Sequence, residues 1–232
     1  MSIPILIIGN SGTGKSTSMR NFAEGEACVV NVLGKPLPFR SKLDAVDVPM
    51  YEARAKAAKG AAPLKIDAVR RFLESDSPYK CVIVDDFGYC ITDMFMRWTT
   101  GDERMKDQFD VYKQIAGRVW NLLADVMGDG RATRIVYFVM HQDTDGAGNV
   151  CPMTVGKLLN EKVNLMGLCT CIFQSAVVGD EYRFVTNGGN PAKSPMGMFP
   201  EREVDNDLRA VDAAIRAYYG MQPLEAVTRD EG

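Results

Sequence analysis

Residues 9–16, Gly9-Asn10-Ser11-Gly12-Thr13-Gly14-Lys15-Ser16, fit the pattern G-x-x-x-x-G-K-[ST] at every position. Each position in that pattern has a mechanical task. The glycines let main-chain N–H groups curl around an anion, and a helix starting at the loop points the positive end of its dipole at the same charge. Asn10, Ser11, Gly12, Thr13 and Gly14 therefore read as a cradle for phosphate oxygens. Lys15 reaches for the β- and γ-phosphates, Ser16 offers its hydroxyl to Mg²⁺, and Thr17 can hydrogen-bond a further phosphate oxygen.

The flanking residues agree with this reading. Ile3-Pro4-Ile5-Leu6-Ile7-Ile8 is an apolar, β-branched run of the kind buried on both faces of a parallel sheet. Residues 15–24 read as a helix with Phe22 and Ala23 on its inner face and Gly25 just past its end. Residues 27–33 form a second buried strand, closed by the turn formers of residues 34–38. Lys35 in that turn lies at the carboxyl edge, where α/β sheets collect ligands. It reads equally well as a solvated lysine.

A second decisive stretch is Lys80-Cys81-Val82-Ile83-Val84-Asp85-Asp86, an apolar strand that delivers two carboxylates to the same edge. One of them, most simply Asp85, would hold the metal opposite Ser16, and Asp86 would polarise an attacking water. Residues 135–140 form another apolar strand, ending in His141-Gln142. At that position a polar side chain can sense a γ-phosphate, the alternative being a lone histidine with a local partner.

Between these strands, residues 87–98 read as a helix, followed by a break at residues 99–102. A longer helix carries Met105, Phe109, Tyr112, Ala116, Val119, Trp120, Leu123 and Val126 as a core stripe. Residues 40–65 are mixed in character and read as mobile. Lys56, Lys59, Lys65, Arg70 and Arg71 read as a solvated surface, with a DNA-facing patch as the alternative. Residues 143–149 read as a mobile turn and residues 156–165 as a short helix. Residues 169–177 and 181–186 form a β-hairpin. A final helix is capped near Asp205-Asn206 and buries Leu208, Val211, Ile215 and Tyr218.

Composition narrows the function classes. Of 232 residues, 46% are hydrophobic and 25% charged, in the range of soluble globular proteins, and no apolar run approaches a membrane span. The chain enters its first strand at once, so no signal peptide is expected. Six cysteines without a C-x-x-C pair and a single histidine read as core thiols in a reducing compartment rather than a zinc site. A net charge of −3 provides no overall attraction for nucleic acid.

Together these strands, loop and acids resemble the RecA-like branch of P-loop ATPases. The implied fold is α/β, with a mainly parallel central sheet flanked by helices and a C-terminal antiparallel hairpin. The implied organisation is one domain over residues 1–222 and a frayed tail over 223–232. The stretches 9–17, 31–40, 84–89 and 192–199 look like small phage-encoded AAA/RecA-type nucleotide-binding proteins, some of them Sak-type single-strand annealing ATPases. That resemblance implies ATP and Mg²⁺ as cofactors, single-stranded DNA as a partner, homo-oligomers with shared ATP sites, and the cytoplasm, the host's if phage-encoded. It also implies that Lys193 reaches the γ-phosphate held by a neighbouring subunit.

One departure matters. RecA proteins place a catalytic glutamate after the second strand, where this chain has Asn31 and Lys35, so either Asp86 substitutes or hydrolysis is slow. A nucleotide-gated scaffold with little turnover is the second reading. A small-molecule phosphotransferase is the third, disfavoured because no arginine-rich lid stands out.

Overall fold

The long apolar runs organise the molecule as parallel strands buried from both sides. A computed structural model describes residues 2–57, 62–101, 103–130 and 134–227. Lys59 and Gly60 of the mixed segment, Asp102 of the helix break and residues 228–232 of the tail lie outside the described residues.

In chain order the strands are β1 (Ile3–Gly9), β2 (Cys28–Asn31), β3 (Asp44–Asp47), β4 (Cys81–Asp85), β5 (Ile135–Thr144), β6 (Val150–Pro152), β7 (Cys171–Val178), β8 (Glu181–Val185) and β9 (Glu203–Asp205). The helices are α1 (Val48–Ala57), α2 (Lys65–Glu74), α3 (Gly88–Thr100), α4 (Gln108–Gly128), α5 (Leu165–Leu168) and α6 (Leu208–Tyr218). The sheet runs β3-β2-β4-β5-β1-β7-β8-β9, with β6 pairing only with the far end of β5. From β3 to β7 every pairing is parallel; β8 and β9 extend the sheet antiparallel. This is the expected α/β architecture, a mainly parallel sheet flanked by helices and extended by an antiparallel hairpin, with β5 inserted between the loop-bearing β1 and the acid-bearing β4.

Alternation along β1 divides the core into two layers, because successive side chains point to opposite faces. Leu6 and Ile8 join Val84, Phe138 and Met140 under α2, α3 and α4. Ile3, Ile5 and Ile7 join Met19, Phe22 and the Leu208, Val211 and Ile215 face of α6. In that second layer Tyr137 donates to Asp212 (2.9 Å), which also binds Arg216, so α6 is pinned to the sheet by a buried polar cluster.

Several local expectations are corrected. The helix expected over residues 15–24 is only a short 3₁₀ turn, Thr17–Asn21, and Ala23 is exposed. The Ser18 hydroxyl bonds the Lys15 carbonyl at 2.6 Å and the Arg20 guanidinium takes the Thr17 carbonyl, side-chain bonds that compete with a regular helix. The mixed segment expected to be mobile contains β3 and α1. Its Asp44 is held by the Tyr79 hydroxyl, a contact 35 residues away that local composition does not reveal.

Within α4 the buried residues are Val111, Ile115, Ala116, Val119, Leu122, Leu123 and Val126, as expected for Ala116, Val119, Leu123 and Val126, whereas Phe109 and Trp120 face solvent. Trp120 follows Val119 and so lies about 100° further around the helix. The turn expected to be mobile at residues 143–149 is a hairpin turn between β5 and β6. In it the Asp145 carboxylate accepts from the Ala147 and Asn149 N–H groups. The short helix expected over 156–165 is a π-helical turn followed by the single turn of α5.

At the C-terminal end the cap of α6 is Asp207, and Tyr218 is exposed. Residues 223–227, expected to fray, return to the body: Leu224 packs against the second core layer and the Val227 N–H bonds the Gly25 carbonyl at 3.0 Å.

Asp207 accepts from the Arg209 and Ala210 N–H groups and from the Asn21 side chain, tying α6 to the turn behind the glycine loop. Asp207→Ala is expected to lower the unfolding free energy by about 1–2 kcal/mol in urea denaturation, the usual cost of a lost cap. A change below a few tenths would mean the cap contributes nothing.

Candidate nucleotide site

Parallel register brings the chemistry to one edge. Gly9 pairs with His141 of β5 on one side and Ser175 of β7 on the other, and Asn31 of β2 pairs with Asp85 of β4. Along this edge lies a groove of about 610 Å³. Its lining includes Gly12, Lys15, Ser16, Lys35, Asp85, Asp86, Tyr89, His141 and Tyr182.

The loop is shaped by close approach. A Cβ at Gly9 would lie 2.7 Å from both the Ser175 carbonyl and the Thr13 hydroxyl, so only glycine fits. Gly14 has φ +88°, which glycine adopts without penalty. The Ser175 hydroxyl meets the Thr13 hydroxyl at 2.5 Å and donates to the Thr13 carbonyl at 2.8 Å, clamping the loop from β7. Lys15 curls inward: its ammonium donates to the Gly9 and Asn10 carbonyls at 2.9 and 2.7 Å. Burial pulls its pKa below the usual lysine value, and the charges of Asp86 and Asp85 oppose that pull.

Across the groove, the Ser16 hydroxyl donates to the Asp85 carboxylate at 3.0 and 3.2 Å. Burial, reinforced by the neighbouring charge of Asp86, pushes the Asp85 pKa up to about 6, while the Ser16 bond works in the other direction. A hydroxyl and an under-compensated carboxylate are hard oxygen donors that suit Mg²⁺, which commonly takes one or two protein oxygens and completes its shell with phosphate and water. Among the described residues no cluster of three or more His, Cys, Asp or Glu could hold a metal without such help.

Asp86 occupies the left-handed region, φ +61°, which costs a non-glycine residue strain and redirects its side chain. Its carboxylate lies 3.3 Å from the Lys35 ammonium and 3.8 Å from His141 Nε2. Lys35 also sits 5.3 Å above the Tyr89 ring, and its carbonyl accepts from the Asn31 amide. Burial first, then the Lys15 charge, lower the His141 pKa against the pull of Asp86, so the imidazole is neutral near pH 7.

The residues singled out in the sequence do not all converge. Asn10 to Thr17, Asp85, Asp86 and His141 surround or line one groove. Gln142 instead accepts from Gln174 at 3.0 Å. Lys193 pairs by its backbone with Ile172, three residues before Ser175 on β7, and is absent from the groove lining. The sequence reading missed Ser175, Tyr89, Tyr182 and Asn206. A local signal existed only for Tyr182, as the second residue of β8 at the predicted edge.

No protein-family model matches the chain, and no curated protein matches it. Among solved structures it is similar to a prototypical ATPase from the type III secretion system of pathogenic bacteria, with 14% identity and a TM-score of 0.44. The match covers 75% of this chain and 51% of that one, so the chain spans about half the length of that protein. The sheet order and the loop carry the fold assignment independently of this likeness. Among the described residues no helix is long and apolar enough to cross a membrane, and all six cysteines are free thiols, five of them buried.

The raised Asp85 pKa has a defined stability consequence. A carboxyl that holds its proton more tightly when folded destabilises the fold fully above pH 6, progressively less between about 6 and its ordinary value of 3.8, and not at all below. Asp85→Asn is therefore expected to raise the unfolding free energy of the ligand-free protein near neutral pH, by up to roughly 3 kcal/mol. The gain should vanish in acid. Urea denaturation at the two pH values checks this, and equal effects at both would contradict it.

Proposed function

We propose that the chain binds Mg·ATP in this groove and hydrolyses it, slowly when alone. The observation that carries the reading is the 3.0 Å hydrogen bond between Ser16 of the glycine loop and Asp85, 69 residues away, at the mouth of the groove. In a P-loop site these two oxygens hold the cation, which neutralises charge building on the transferring phosphoryl group.

The other roles follow from position. Main-chain N–H groups of residues 10–17 face the phosphates. Lys15 exchanges one of its carbonyl partners for phosphate oxygens. Asp86 takes the proton of, or polarises, the attacking water, and neutral His141 hydrogen-bonds the γ-phosphate. Gln142, bonded to Gln174, acts at one remove by linking β5 to β7 around the loop strand. Lys193 serves a neighbouring subunit's site. The sequence resemblance supports the wider setting: a phage recombination or replication ATPase that works as a homo-oligomer on single-stranded DNA or its partners. The phosphotransferase reading loses support, since among the described residues no arginine lines the groove.

A second reading, a nucleotide-gated scaffold with little turnover, is favoured by one contact. The Lys35 ammonium lies 3.3 Å from Oδ2 of Asp86 and engages an oxygen that an attacking water would need. The two readings differ in what activates the protein.

Lys15→Ala is expected to abolish the heat of Mg·ATP binding while the circular dichroism spectrum is retained; unchanged binding would remove the central assignment. Asp86→Asn should leave binding intact and cut phosphate release by about 10²–10⁴-fold. Lys35→Ala should raise it several-fold if the ion pair restrains Asp86. Turnover that responds neither to these changes nor to single-stranded DNA favours the scaffold.

A further inference from the structure

The Tyr182 end of the groove points to a nucleobase. Lys15, Ser16, Asp85, Asp86 and His141 lie on the β4 and β5 side of the loop and mark the terminal-phosphate end. A nucleotide whose terminal phosphates sit there leaves the loop toward β7 and β8. On that side Tyr182 of β8 lies directly against the loop, its ring 3.0 Å from where a Gly14 Cβ would be. Tyr182 is 54% exposed. Its cross-strand partner on the same face is Val177, also exposed, so ring and aliphatic side chain form an apolar surface beside the loop. The groove's other ring, Tyr89, is already engaged, under the Lys35 ammonium and edge-on to His141.

A second observation lies beneath the same ring. Asn206, between β9 and α6, is 2% exposed, and neither its side-chain nitrogen nor its side-chain oxygen has a hydrogen-bond partner among the described residues. Its Oδ1 would lie 2.9 Å from a Gly14 Cβ, its N–H donates to the Tyr182 carbonyl, and its own carbonyl accepts from Arg20. A buried, unsatisfied amide costs free energy unless another state supplies its partners.

We propose that Tyr182 is the stacking platform for the aromatic base of the bound nucleotide, and that Asn206 anchors the loop from below when the phosphates enter. This inference rests on the reading of the groove as a Mg·ATP site. Stacking on the free ring face, flanked by Val177, gives affinity for any base with a π-face. The amide nitrogen gains a carbonyl partner from the loop main chain near Gly14 as that segment settles on the anion, whose oxygens take the loop N–H groups. The two residues thus divide the ligand: Tyr182 contacts the base and Asn206 acts only through the loop.

Binding of Mg·ATP and of Mg·tripolyphosphate, which lacks a nucleoside, separates these roles in calorimetry. The wild-type chain should bind both, ATP more tightly. Tyr182→Ala should weaken ATP binding about tenfold or more, leaving tripolyphosphate unchanged, and Tyr182→Phe should behave as wild type. Asn206→Ala should weaken both ligands and shrink the ligand-induced rise in melting temperature, without lowering the melting temperature of the free protein. Undiminished ATP binding by Tyr182→Ala, or an equal loss for tripolyphosphate, overturns the base platform. A lower melting temperature of free Asn206→Ala with an undiminished ligand-induced rise makes Asn206 merely structural. If the wild-type chain binds neither ligand, the nucleotide reading itself fails; if it binds both equally, the base subsite alone fails.

Discussion

The structure depends on the burial of one ammonium group. Lys15 is held at the end of the central strand by the carbonyls of Gly9 and Asn10, and its charge is balanced only at a distance by Asp85 and Asp86. A buried cation is tolerated where carbonyl dipoles converge and carboxylates stand near. The loop must therefore curl tightly, which requires glycine at positions 9 and 14. The strands on either side must also bring His141 and Ser175 level with Gly9, which their parallel register with β1 ensures.

That arrangement leaves the groove electrostatically unfinished. Desolvation pulls Lys15 down and pushes Asp85 up, each toward its neutral form, and Asp86 is strained as well as paired with an exposed lysine. Beneath the loop the side-chain amide of Asn206 has no hydrogen-bond partner among the described residues. Such features cost stability, and a ligand carrying phosphate and a cation relieves several at once. A site of this kind is stabilised by what it binds. The rest of the fold tolerates the cost because β1 is buried on both faces by two separate core layers.

Much of this was legible in the residues themselves. The strands β1, β2, β4 and β5 are apolar runs too short and too β-branched for helices, and the acids of Asp85-Asp86 stand where such a run stops. The truncated helix after the loop was not legible. Its apolar pattern was adequate, yet the Ser18 and Arg20 side chains bond the backbone that a helix would use. The exposure of Phe109 and Trp120 was hidden for a different reason: α4 carries enough apolar residues for two overlapping stripes, and contact with the sheet and with α2 and α3 selects one.

By itself the sequence determined that the segments of β1, β2, β4, β5, β7 and β8 are strands, that a glycine-rich turn follows the first, and that carboxylates end β4. Those are local properties, set by side-chain period, β-branching and the conformational freedom of glycine. Only the tertiary structure decided that Ser175 clamps Thr13, that Lys35 sits on Asp86, and that Tyr182 and Asn206 flank Gly14. These pairs are separated by 51 to 192 positions in the numbering. No short-range pattern encodes them, because sheet order and register bring them together only after the two core layers have closed over the central strand.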